Sequence, residues 1–244
     1  MDTPFSQRVA WLAEYEYAHR GLHTSTVPEN SSQAFADAMT RGMGIECDVQ
    51  RSADGKAMVF HDWELDRLTA QSGPVASRSA SQLLEIRLEG NGEVIPRLSN
   101  VLEQIAGRVP LLIEVKSKRD LPVGELCAAV DRDLEGYAGH CAVMSFDPRV
   151  SRWFASHAPN RVRGLVVTEE GAKGLSGTVR RWLSLRMARP DFLAYDIRDL
   201  PSAFASRQRA RGMPVLTWTV RSPELRARAA LHADAPIAEG EGIV

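Results

Sequence analysis

Short apolar runs alternate with stretches of helical period along the whole chain. Runs at 15–19, 44–49, 110–115, 141–145, 164–168, 192–196, 214–220 and 234–238 have strand length and turn residues at their ends. Between them, 32–41, 98–105, 123–134, 148–156, 177–187, 202–211 and 223–232 read as helices. Asn30 and Ser31, Asp147-Pro148 and Ser222-Pro223 mark helix starts, and Gly42, Gly136 and Gly212 stand where helices should end. Eight strands alternating with helices predict an α/β fold, a single (β/α)8 TIM-type barrel forming one domain over 1–244. An open doubly wound sheet also alternates, so the count of eight decides. The rhythm breaks once. Residues 51–62 read as a hairpin turning at Asp54-Gly55, and 63–97 show no long helix. The chain is therefore expected to carry an insertion, roughly 51–97, after the second strand. That is the face on which barrel enzymes keep their chemistry.

Composition changes this picture little. The chain has 244 residues, 44% apolar and 25% charged, with a net charge of −1. No bulk basic field is available for nucleic acid. No stretch is apolar and long enough to cross a bilayer, and Met1-Asp2-Thr3-Pro4 lacks a signal pattern. A cytoplasmic monomer or small homo-oligomer is expected. Cys47, Cys127 and Cys141 are odd in number and without C-x-x-C spacing, which predicts reduced core thiols.

The candidate chemistry sits at strand ends. Residues i and i+2 of a strand face one way, so Glu46 and Asp48 point together and Cys47 points to the helix layer. Two neighbouring carboxylates repel unless a cation lies between them. Oxygen ligands favour Mg²⁺ or Ca²⁺. Glu114 and Lys116 repeat the spacing, offering a third carboxylate and a point charge for a phosphate oxygen. His19 and His61 supply titrating groups for proton transfer. Arg20 adds a fork of donors, and Gly21 permits a sharp turn. His23, His140, His157 and His232 fall in loops or helices and read as structural.

Several of these segments carry a resemblance. Ala18-His19-Arg20-Gly21, Pro28-Glu29-Asn30-Ser31, Ile45-Glu46-Cys47-Asp48-Val49, Asp54-Gly55 and Val59-Phe60-His61-Asp62 stand in the order found in glycerophosphodiester phosphodiesterases. Leu65, Arg67-Leu68-Thr69, Gly73, Ile113-Glu114-Val115-Lys116, Ser145-Phe146-Asp147 and Leu216-Thr217-Trp218-Thr219-Val220 extend the likeness over nearly the whole chain. The resemblance implies a TIM-type barrel that hydrolyses glycerophosphodiesters to glycerol 3-phosphate and an alcohol. It implies Glu46, Asp48 and Glu114 as ligands of a divalent metal, Mg²⁺ or Ca²⁺. It implies His19 and His61 as the acid–base pair, Arg20 and Lys116 on the phosphate, and Phe146 and Trp218 near the substrate's glycerol or leaving group.

The chain departs from that family at its end. Glu239 stands where an Asp is usual, and the sequence stops at Val244 without a closing helix. Asp196 is a further candidate for touching substrate, and Asp199 is expected as a helix N-cap. Two alternatives remain open: cleavage of a lysophospholipid or sphingomyelin, with Phe60, Trp63, Leu65 and Leu68 forming an apolar groove, or a catalytically silent phosphate-ligand sensor. Trp11 and Leu12 either pack on the barrel bottom or mediate association.

Overall fold

The computed structural model describes residues 6–243. The N-terminal tetrapeptide Met1-Asp2-Thr3-Pro4 and the terminal Val244 lie outside them. The fold is the expected (β/α)8 TIM-type barrel. Its elements are β1 (Tyr17–Ala18), α1 (Ser32–Thr40), β2 (Gly44–Arg51), β3 (Ala57–Val59), α2 (Ala80–Leu83), α3 (Leu98–Ile105), β4 (Leu111–Val115), α4 (Gly124–Asp133) and β5 (Cys141–Ser145). They continue with α5 (Pro148–His157), β6 (Val162–Val167), α6 (Leu175–Ala188), β7 (Phe192–Asp196), α7 (Ala203–Arg209), β8 (Val215–Val220), α8 (Pro223–His232) and β9 (Ala235–Ala238). Strand β3 is the extra element: it pairs antiparallel with β2, Val49 opposite Val59, and the turn passes Gly55 at φ +73°. That is the expected hairpin.

The chain divides into two compact units, residues 20–141 and residues 1–19 with 142–244. In the first, β2 and β4 pair in parallel, which sets Asp48 beside Glu114. The insertion has a core of its own. Met58, Phe60, Leu65, Val75, Ala80, Leu83, Leu88 and Ile95 are buried together, with Leu68 packed against them. This corrects the groove reading: Phe60 and Leu65 are fully inside, and Trp63 lies under the Lys118 ammonium, 4.7 Å from its ring centroid. Phe60, Leu65 and Leu68 thus fold the insertion, whereas Trp63 is half-buried and lines a cavity with Lys116, Leu121 and Leu126.

In the second unit, β1 pairs with β9 and β9 with β8, followed by β7, β6 and β5, all parallel. The first strand is shorter than the sequence suggests, but the His19 amide still donates to the Ala238 carbonyl at 2.8 Å. His19 is therefore held at the strand's end. Trp11 and Leu12 are buried, which gives them a packing role.

Helix starts follow the sequence signals. Ser31, Asp147 and Ser222 each accept a backbone N–H of the first turn. Asp199 is a correction. The cap of α7 is Ser202, which accepts from Phe204 and Ala205. Asp199 instead accepts from the Glu169 amide at 2.6 Å and the Thr168 hydroxyl. Cys47 and Cys127 are buried, Cys141 is half-buried, and none of the three forms a disulfide among the described residues.

Candidate metal and phosphate site

Glu46 and Asp48 project from the middle of β2, Glu114 from the end of β4, and Lys116 follows it directly. Register, not sequence proximity, assembles them: Asp48 and Glu114 are direct neighbours across the parallel pair. One carboxylate oxygen from each of Glu46, Asp48 and Glu114 lies within 4.8 Å of the others. Ligands on opposite sides of an ion bound at about 2.4 Å are themselves about 4.8 Å apart, so a hard divalent cation fits this set. Glu46 and Asp48 are each 2% exposed. Burial, then repulsion from Asp48 and Glu114, pushes the Glu46 carboxyl well up from its ordinary value. Burial also raises Glu114, against the pull of Lys116. A dication between these groups would relieve both costs.

Cations line the other side. Lys116 Nζ lies 3.1 Å from Glu114 and 3.4 Å from Asp48. Arg20 Nε is 3.2 Å from Asp48, and the Arg20 amide donates to Glu46 at 3.0 Å. Burial opposes both charges. Around Arg20, Asp48, Glu29 and Glu46 outweigh it; around Lys116, Glu114 and Asp48 do. Both side chains stay charged in a dry setting, as anion binding requires.

Backbone shape at this point depends on glycine. Arg20 and Gly21 have φ of +55° and +78° in succession. A Cβ on Gly21 would stand 2.8 Å from the Ala34 Cβ and 2.9 Å from its carbonyl carbon. Gly21→Ala is expected to cost about 1–3 kcal/mol and lower Tm by several degrees. Thermal unfolding checks this.

His61 follows the hairpin and is fixed on two sides. Gln50, buried two residues beyond Asp48 on β2, donates to the carbonyls of Phe60 at 2.9 Å and Asp62 at 2.6 Å. His61 Nδ1 is 2.6 Å from the Asp62 carboxylate. Hydrogen bonds from Arg67, then the bond from His61, hold the Asp62 carboxyl down at about 2. Asp62 is thus an acceptor only, so Nδ1 carries the proton and Nε2 offers its lone pair. Burial lowers the His61 pKa from its ordinary value, helped by Lys116 and Arg20 and opposed by Asp48. Its neutral form is favoured.

Residues that sequence reasoning did not assign bind the site together. Asn30, at φ +57°, donates to Asp48 at 3.0 Å and accepts the Asp48 amide at 3.1 Å. Glu29 accepts from Arg20 at 2.7 Å and from both ends of Arg67 at 2.7 and 2.9 Å. Arg67 also donates to Asp62 at 2.5 and 2.9 Å. A continuous chain therefore runs His61, Asp62, Arg67, Glu29, Arg20. The Pro28-Glu29-Asn30-Ser31 and Arg67-Leu68-Thr69 segments were the available signals. In Arg67→Met the Asp62 charge would lose its neutralising partner and favour imidazolium. The acid limb of kcat/KM should move to higher pH, as a pH–rate profile would show.

His19, Phe146 and Trp218 belong to the other unit. His19 Nδ1 pairs with the Glu239 carboxylate, which also accepts from Arg221 Nε at 2.5 Å. Glu239 is thus the partner of His19. Phe146 is 46% exposed and meets Trp218 edge-on, with centroids 5.3 Å apart. The Trp218 indole donates to the Ala194 carbonyl at 2.9 Å. Asp196 is buried under Arg198, bonded at 2.6 Å, which closes its side chain off as a contact residue.

Known proteins resemble this chain in sequence and in fold. The model of the glycerophosphoryl diester phosphodiesterase family matches residues 19–237. A glycerophosphodiester phosphodiesterase of Caldanaerobacter subterraneus subsp. tengcongensis is 30% identical over 219 residues, 85% of this chain and 86% of that protein. Among solved structures, an Oleispira antarctica phosphodiesterase in complex with the product sn-glycerol-3-phosphate shares the fold at a TM-score of 0.80. It is 24% identical and covers 92% of each chain. A Thermotoga maritima glycerophosphodiester phosphodiesterase gives a TM-score of 0.74 at 24% identity, covering 92% of this chain and 93% of its own. The chain belongs to the glycerophosphoryl diester phosphodiesterase family.

Proposed function

We propose that this phosphodiesterase hydrolyses glycerophosphodiesters to glycerol 3-phosphate and an alcohol, through one barrel domain that uses a divalent metal, Mg²⁺ or Ca²⁺, and two histidines. The observation that carries the reading is the triad of buried Glu46 and Asp48 with half-buried Glu114, beside Arg20 and Lys116. The three carboxylates would hold the cation, which, when bound, offsets charge on the phosphoryl oxygens. Arg20 and Lys116 bind those oxygens and stabilise the charge that grows in the transition state. His61 Nε2 takes the proton of the nucleophile: water, which gives glycerol 3-phosphate directly, or the neighbouring glycerol hydroxyl, which gives a cyclic glycerol phosphate that water must then open to glycerol 3-phosphate. Its lowered pKa and its Nδ1–H bond to Asp62 suit a base. That leaves His19, oriented by Glu239, to protonate the departing alkoxide. Phe146 and Trp218 supply apolar faces for the alcohol portion of the substrate.

The packing of Phe60, Leu65 and Leu68 into the insertion's core favours a short, water-soluble diester over a long-chain lipid. The two are separated by measuring release of glycerol 3-phosphate from glycerophosphocholine and of choline from lysophosphatidylcholine with the same preparation. Turnover of the first well above the second is expected. The reverse order would transfer the site to lysophospholipids, and turnover of neither would remove the enzymatic reading.

A further inference from the structure

Eight large apolar side chains are exposed among the described residues, and four of them, Leu175, Val179, Leu183 and Met187, lie on α6. Spaced four apart, they make one ridge along the helix. Leu175 is 87% exposed and Leu183 61%. This is not the packing face of α6. Gly177, Arg181 and Ala188 are its buried residues, and Trp182 and Leu185 pack on the cluster that contains Phe204. Arg180 and Arg186 are exposed beside the ridge, Lys173 and Arg189 at its ends. From 171 to 190 there is no Asp or Glu. No ion pair engages Arg180 or Arg186 among the described residues. With a net charge of −1, the chain as a whole is not basic, so this face is a local exception.

We propose that the exposed face of α6 docks on the surface of an anionic phospholipid bilayer. An apolar ridge between cations is the pattern of a helix lying in a membrane interface: the aliphatic side chains enter the acyl boundary and the guanidinium groups meet phosphate. Charge complementarity selects this occupant. A second copy seated on the same face would bring Arg180 and Arg186 against their own kind with no acid to answer them. The inference is independent of the reaction assigned above.

The test is co-sedimentation of the full chain with phosphatidylcholine vesicles, with and without phosphatidylglycerol. Binding to the anionic vesicles alone, weakened by salt, is expected. Val179→Asp with Leu183→Asp should lower the partition coefficient at least about tenfold. Arg180→Glu with Arg186→Glu, which keeps the ridge, should lower it several-fold. Thermal midpoints, read alongside, confirm folding of these surface variants. Wild-type protein that stays in the supernatant, or binding that neither variant changes, overturns the proposal. So does a wild-type dimer that the aspartate variant dissociates without any vesicle binding, which would assign the face to a second copy.

Discussion

Asp48→Asn is expected to reduce kcat by about 10²–10³-fold or more while leaving the metal-free protein as stable as the wild type. The carboxylate removed is the one that touches every other group of the site: Arg20, Lys116 and Asn30 directly, Glu46 and Glu114 through repulsion. Losing an electrostatic anchor of the reacting group has a cost of that order. Stability follows a different count. Three carboxylates, two buried and one half-buried, face two cations, and the substitution leaves two against two. The repulsion that raises Glu46 falls, the Asn is of equal size, and it retains an oxygen to accept from Asn30. The metal-bound state separates the variants. A ligand at about a hundred times its Kd stabilises by about 2.7 kcal/mol, and for a chain of this size that is about 5–10 °C in Tm. Wild-type protein should show such a rise on adding Mg²⁺ or Ca²⁺, and Asp48→Asn should not. Thermal scans with and without metal read the difference.

His61→Ala carries the second large effect. Turnover should fall by about 10²–10⁴-fold, the usual loss when a general base is removed. The metal-induced rise in Tm should survive, because His61 is not among the three carboxylates that would hold the ion. In the wild type, activity should be lost only as pH falls below the ordinary histidine range. The sign follows from burial: the folded pKa is lowered, so neutral imidazole persists to lower pH. Protonation of His61 also opposes folding for the same reason, so any stability effect of this group appears below that range. Asp62→Asn should sit between wild type and His61→Ala. The ring would lose the acceptor that fixes its tautomer, but not the ring itself.

The barrel and the shared face of Glu46 and Asp48 were legible because both depend on local pattern. Strand length, helix caps at Ser31, Asp147 and Ser222, and the i, i+2 spacing of Glu46 with Asp48 are short-range features. The groups that hold the site in shape were not legible. Arg67 reaches Glu29 across 38 residues, and Asn30 reaches Asp48 across 18. Nothing in the period of either segment encodes those distances. Glu239 was visible only as an oddity at the chain's end, and its meeting with His19 depends on β9 pairing with β1. The apolar run at Phe60 and Leu65 shows the opposite failure. Hydrophobicity alone does not tell a groove from a core, and the insertion needed the side chains for its own folding. Asp199 had the composition of a cap, but Ser202 lies nearer the first turn of α7, and its hydroxyl took the position.

We infer that Glu46, Asp48 and Glu114 hold a divalent ion on which turnover depends. The direct measurement is the rate of glycerol 3-phosphate release from glycerophosphocholine by EDTA-treated enzyme, before and after addition of Mg²⁺ or Ca²⁺. The rate should fall near background after chelation, recover fully with one of the two ions, and not recover in Asp48→Asn. Undiminished release in EDTA, or recovery in Asp48→Asn equal to that of the wild type, would contradict this inference.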